Sequence, residues 1–136
     1  MASLLIALHV AAVVVWIGSI LSVAVVCTSS TGDTKLRGQL ATELYKKLAV
    51  PAFLIAFLAG AARLVSDLGG YFVATKFMHP KLTLALVVIA LHHVIGARAK
   101  RMATEQTKDA GNALTLAVAL LACAVAASFF AVLKPF

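Results

Sequence analysis

Residues 4–26 read LLIALHVAAVVVWIGSILSVAVV, and this stretch decides the fold class. It contains no Asp, Glu, Lys or Arg, and it exceeds the ~20 predominantly apolar residues that a helix needs to cross a bilayer. No Lys or Arg precedes it, and it is longer than the ~7–15-residue apolar region of a cleaved signal peptide. We therefore expect it to remain as a first transmembrane helix.

Three further apolar stretches have the length of a membrane span, at about residues 48–65, 78–97 and 113–133. Pro51 and Pro80 fall near the starts of the second and third, where a helix tolerates a missing N–H group. The sequence therefore predicts an all-α integral membrane protein, a four-transmembrane-helix bundle that forms a single domain over residues 1–136.

The overall composition agrees with a lipid environment. Hydrophobic residues make up 62% of the chain and charged residues 12%, whereas charged residues are about a quarter of a typical soluble domain. The net charge of +7 lies in clusters between apolar stretches, and no nucleic-acid-binding motif accompanies it, so we expect no nucleic-acid partner. Cys27 and Cys123 lack the C-x-x-C spacing of a zinc or redox site.

The basic residues predict the topology. The connections at 28–47 and 98–112 each hold four of the twelve Lys and Arg residues, so the positive-inside rule places both in the cytoplasm. The connection at 66–77 holds only Lys76, and both chain termini are therefore expected outside. Within the first basic connection, leucines at steps of four over residues 34–47 indicate an amphipathic helix on the cytoplasmic surface.

Ionisable side chains inside membrane spans are costly and are candidates for function. With the N-terminus outside, one group falls in the outer half of the bundle, and two further histidines lie deeper in the third span. The outer group consists of His9, Arg63, His79 and Lys81, and the deeper histidines are His92 and His93.

Two of these histidines suggest a cofactor. His9 and His79 both lie within ~10 Å of the outer boundary on different helices, and a facing imidazole pair is a common way to ligate a b-type haem. On this hypothesis His79 is the partner of His9, and Arg63 and Lys81 suit the anionic propionates. Trp16, two turns from His9 on the same face, is placed to pack against a porphyrin or a quinone.

Each of these residues also has a structural interpretation. A membrane histidine can simply hydrogen-bond a carbonyl, which is the main expectation for His92, and Arg63 and Lys81 can extend to outer headgroups. Trp16 can be a packing residue. His93 is left for an ordinary hydrogen bond or for a second cofactor shared across a homo-oligomer.

Three segments carry a resemblance to a known family: ALHVAAVVVWIGSI at 7–20, MHPKLTLALVVIALHH at 78–93 and VLKPF at 132–136. In these segments the sequence resembles the HemJ-type protoporphyrinogen oxidase family of small bacterial membrane proteins. The resemblance implies haem b, oxidation of protoporphyrinogen IX in porphyrin biosynthesis, electron transfer toward quinone and a bacterial inner (plasma) membrane. It also implies that His9 is a haem ligand and that His79 and Lys81 form the family's H-x-K motif.

Two other functions stay open from the residues. One is a b-type cytochrome that carries electrons without oxidising a tetrapyrrole, which is favoured by SVAVVCTSS at 22–30, where members of the family commonly have Arg and His. The other is a metal-handling membrane protein of the copper-resistance D type, although the three methionines form no Cu(I)-binding pattern. The sequence identifies no catalytic residue.

Overall fold

The computed structural model describes residues 2–74 and 76–133, and all its regular elements are helical. The α-helices are α1 (Ala2–Thr28), α2 (Thr34–Leu44), α3 (Val50–Val65), α4 (Met78–Ala103) and α5 (Ala113–Leu133). Two short π-helical segments occur at Tyr45–Ala49 and Gly70–Ala74. The C-terminal K-P-F motif at 134–136 lies outside the described residues.

Four helices are long and apolar enough to cross a membrane, which confirms the predicted all-α membrane bundle. They are Ser3–Thr28, Thr34–Val65, Met78–Ala103 and Ala113–Leu133. The fourth has the predicted bounds, and the third continues six residues beyond the predicted end at residue 97. Their exposed Leu, Val, Ile and Phe side chains provide the surface that contacts lipid.

The second membrane helix differs most from the prediction. Residues 34–47 do form a helix, but it continues through the π-helical segment into α3 instead of lying as a separate element on the cytoplasmic surface. Pro51 explains the wide turn, because it has no N–H to donate and its ring would crowd a regular preceding turn. The N–H of Val50 bonds the carbonyl of Tyr45, five residues back.

Polar contacts hold together the end of the bundle that carries the two basic connections. Asp33 caps α2, since its carboxylate accepts a 2.7 Å hydrogen bond from the backbone N–H of Leu36. Arg37 donates to the carbonyls of Cys27 and Ser29 at the end of α1. Lys35 pairs with Glu105 at 3.1 Å and so links the two basic connections.

Packing is uneven along the bundle axis. The fully buried large side chains include Ile20, Val23, Ile95, Met102 and Leu120, all in the half nearer the basic connections. In the other half, no residue at 3–11 of α1, 79–87 of α4 or 121–133 of α5 is buried. We call these the inner and outer halves. The chain therefore buries most of its large side chains in the inner half, whereas these outer stretches of α1, α4 and α5 bury none.

Candidate functional site

His9 lies against α3 and makes a defined hydrogen bond there. Its Nδ1 is 2.7 Å from the backbone carbonyl oxygen of Ala56. A carbonyl can only accept, so Nδ1 carries the proton and the neutral ring presents an unprotonated Nε2. This is the tautomer and the backbone partner that commonly orient a metal-ligating histidine. His9 Nε2 has no hydrogen-bond partner among residues 2–74 and 76–133.

Gly60 makes room for this imidazole. A Cβ atom at position 60 would lie 2.8 Å from His9 Cε1 and 2.9 Å from its Nδ1, which is closer than side chains pack. Only glycine therefore lets the ring of His9 lie on the backbone of α3 one turn beyond Ala56. Gly60 is not a candidate from the sequence, where its spacing of four from Ala56 is the local signal for it.

The second cluster is in the inner half, around His92. This imidazole is 0% exposed, and its Nδ1 accepts a 3.0 Å hydrogen bond from Trp16 Nε1. Because indole N–H is only a donor, the neutral His92 ring carries its proton on Nε2. That Nε2 is buried and has no partner in the part of the chain that the structure describes. Trp16 is thus a specific hydrogen-bond donor, and His92 bonds a side chain instead of the expected carbonyl.

Tyr45, Phe53 and His93 complete this cluster. The ring of Tyr45 stacks on His92 with centroids 4.8 Å apart, and its hydroxyl lies 3.3 Å from His93 Nδ1. Phe53 lies 5.0 Å from Trp16 and 5.1 Å from His92 between ring centroids. Tyr45 is not a candidate from the sequence, because residues 34–47 are predicted to lie on the membrane surface, whereas the continuous helix carries Tyr45 into the bundle.

Gly96 makes the Tyr45 contact possible. A Cβ atom there would lie 2.2 Å from Cζ of the tyrosine ring, so a larger residue on α4 would expel Tyr45. Gly60 and Gly96 therefore perform the same task in the two halves of the bundle. Each lets an aromatic ring from one helix rest directly on the backbone of another.

These contacts fix how α1 and α4 are aligned. Trp16 meets His92, and the two helices run in the same direction, so His9 is level with about Ala85 of α4. The contacts of α3 agree, because Phe53 meets His92 and Gly60 meets His9. On this register His79 lies about 9 Å further toward the outer side than His9, at ~1.5 Å per residue.

The structure does not bring His9 and His79 together within the described residues. The side chain of His79 is exposed, and its ring packs edge-on against Phe72 with centroids 5.3 Å apart. The helix contacts therefore place His9 and His79 at different depths, whereas the sequence predicts that they pair at equal depth. The reason is that Trp16 aligns α1 with a position on α4 far from the start of that helix.

The two predicted cations lie between these histidines in depth. Register places Arg63 of α3 about 4.5 Å and Lys81 of α4 about 6 Å to the outer side of His9. Arg63 packs on Tyr71 at 5.1 Å from its ring centroid and donates to Ser66 Oγ at 2.8 Å, while its Nε is buried without a partner in the described chain. Lys81 is half-buried and forms no salt bridge to a described residue.

A multi-residue metal centre is not assembled by the described residues, which contain no group of three or more His, Cys, Asp or Glu side chains placed to hold a metal ion. Haem needs only one or two protein ligands, so this finding does not bear on it. The site and fold define a polytopic α-helical membrane protein with histidines in both halves of its bundle. No protein-family model, curated protein or solved structure matches the chain.

Proposed function

We propose that the protein is a haem-b membrane oxidoreductase similar to HemJ-type protoporphyrinogen oxidase, with electrons passing toward quinone. The observation that carries the proposal is the imidazole of His9. Its Nδ1–H is committed to the Ala56 carbonyl, its Nε2 lone pair is free, and Gly60 holds the ring in place. A lone pair presented in this way inside an apolar bundle is suited to an iron ligand.

Further observations of the chain fit a flat anionic macrocycle in the outer half. Residues 3–11, 79–87 and 121–133 are not packed into a core, so the helices there leave apolar surface for a large group to cover. Arg63 keeps a buried Nε without a partner among the described residues, and Lys81 has no described counter-ion. Both cations lie on the outer side of His9, where propionates reach the membrane interface.

In this proposal each residue has a role that follows from its depth in the bundle. His9 would ligate the iron, while Arg63 and Lys81 would hold anionic groups and orient the ring. Bound haem supplies one-electron redox chemistry. The apolar side chains of α1 and α4 would exclude water, and His79, which is exposed, would accept a proton from a tetrapyrrole that enters from the outer side.

The second candidate is a b-type cytochrome that carries electrons without oxidising a tetrapyrrole. Its supporting observation is the end of α1, where Ser22 and Thr28 bond only to helix carbonyls of α1. The residues of this segment, 22–30, include no Arg or His that could bind a tetrapyrrole substrate. Reduction of the haem by a quinol, without turnover of protoporphyrinogen IX, would favour this candidate.

The orientation and the membrane are also proposed. Both basic connections would face the cytoplasm of a bacterial inner membrane, with both termini on the outer side. The outer half that contains His9 would then face away from the cytoplasm.

The decisive test is an optical spectrum of the purified protein, oxidised and dithionite-reduced. We expect a haem Soret band in the wild type and its loss in His9→Ala, with the variant still inserted in the membrane. The matched control is His93→Ala, an exposed histidine of the inner half, which should keep the band. A wild-type protein without haem after expression with added haem precursor would refute the proposal.

A further inference from the structure

His93 is an ionisable side chain on a surface that otherwise faces lipid. It shares one face of α4 with Leu86, Ala90 and Ala97, all of them exposed, and Leu86 is 67% exposed. It lies five residues before Arg98, about 7–8 Å from the basic end of the helix. Ionisable groups at such depth normally face the bundle interior, so an imidazole on the outside indicates a functional contact.

The hydrogen bonds of His93 leave one nitrogen free. Tyr45 hydroxyl lies 3.3 Å from Nδ1, and no described residue bonds Nε2. The phenol and the imidazole can each donate or accept, so the pair can present either a donor or an acceptor at Nε2. A ligand that reaches this nitrogen must come through the bilayer, since the surrounding side chains are apolar.

Aromatic rings extend from His93 along the neighbouring helix. Phe53 meets His93 edge-on with centroids 6.0 Å apart, and Phe57 follows Phe53 at 6.0 Å. Phe57 is 52% exposed, because α3 packs mainly on α1 while α4 packs mainly on α2 and α5. We call His93, Phe53 and Phe57 the aromatic edge. It offers a surface on which a flat ring can stack.

We propose that the aromatic edge and Tyr45 bind the head group of a quinone from the inner half of the bilayer. A quinone is lipid-soluble, has a flat ring that can lie on Phe53 and Phe57, and carries carbonyl oxygens that accept from His93 Nε2–H. Its role as electron acceptor rests on the function proposed above. Binding itself does not, because the edge is in the inner half and shares no residue with the proposed haem site.

The chain contains one tryptophan, which makes the test direct. Trp16 touches Phe53 and His92, so a quinone on the aromatic edge would quench its fluorescence at short range. Decylubiquinone is titrated into the full chain in detergent and into its His9→Ala variant. We expect saturable quenching in both, about tenfold weaker affinity in His93→Leu because one hydrogen bond is lost, and unchanged affinity in His79→Leu.

The His79→Leu control is matched, because it removes an exposed histidine from the same helix at the other end. Quenching that rises linearly and equally in wild type and His93→Leu would show mere partition into the micelle and overturn the proposal. Disulfide formation between two copies of His93→Cys in the membrane would overturn it too, since a second chain would then cover this face. Saturable binding of decylubiquinone to His9→Ala, which lacks the proposed haem ligand, would show that quinone binding does not depend on haem.

Discussion

The indole of Trp16 and the imidazole of His92, seventy-six residues apart, share a 3.0 Å hydrogen bond in the buried inner half. This bond joins α1 to α4 and fixes their register, which decides how deep the polar residues of one helix lie relative to those of the other. It also fixes the tautomer of His92, whose remaining N–H is buried. Such a contact is more than packing, because removing either partner leaves the other unpaired in an apolar interior.

Replacing Trp16 by Phe should destabilise the bundle by about 1–3 kcal/mol, since His92 Nδ1 would lose the indole donor while the aromatic packing is largely kept. The measurement is thermal or SDS-induced unfolding of the detergent-solubilised protein. His92→Leu should have a similar cost and should also shift the emission of Trp16, whose N–H then lies in an apolar environment. Unchanged emission would contradict the hydrogen bond.

Gly60→Ala should displace the ring of His9 from α3, because the new Cβ would lie within 3 Å of two of its atoms. We expect haem occupancy to fall below that of the wild type but less far than in His9→Gln, which removes the ligand itself, with little effect on insertion. Gly18→Ala is the control, since a Cβ at position 18 meets nothing within 4 Å. Equal haem content in both glycine variants would remove Gly60 from the site.

Gly38→Ala tests whether α2 is part of the bundle. Its Cβ would lie 2.2 Å from the backbone nitrogen of Ala103 and 2.5 Å from the carbonyl carbon of Met102, and backbone cannot move aside cheaply. We expect a loss of stability of about 1–3 kcal/mol or more. Gly69→Ala, where a Cβ has open space, should be neutral in the same unfolding measurement. A neutral Gly38→Ala would mean that α2 does not pack on α4.

The topology can be tested with reporters fused after Phe136 and inserted between Ser66 and Lys76. Both sites should give active alkaline phosphatase and inactive cytoplasmic reporters, because the basic connections are expected to stay inside. An insertion at Lys108 should give the opposite pattern. A cytoplasmic signal from the Phe136 fusion would invert the assignment of outer and inner halves.

Much of the fold could be predicted from the sequence because bilayer thickness imposes a long apolar stretch for each span. The continuous helix through Tyr45 could not, since residues 34–47 carry enough charge to resemble a surface element, and only packing of Gly38 on α4 shows otherwise. Part of the candidate site follows from the sequence. His9 and Trp16 were recognised as polar groups in an apolar span, but their partners Ala56 and His92 depend on helix register, which periodicity does not give.

The last prediction concerns the second axial position of the haem. The position of each histidine within its predicted span favours His79 as the second haem ligand beside His9, because both lie near the outer boundary. The structural register places His79 about 9 Å further out than His9, and helices that cross at ~20° do not close such an offset to the ~2 Å of an iron–nitrogen bond. The α4 positions level with His9 are Leu84, Ala85 and Leu86, none of which can ligate iron.

We therefore expect His79→Ala to retain haem, and we expect the dithionite-reduced wild type to show a five-coordinate spectrum that changes on addition of carbon monoxide. His92→Ala and His93→Ala should also keep haem, since both residues lie about 10 Å or more to the inner side of His9. The measurement is the reduced spectrum of each variant. A six-coordinate wild-type spectrum that becomes five-coordinate only in His79→Ala would show that α4 shifts toward His9 when haem binds, and that the register set by Trp16 and His92 does not hold in the loaded protein.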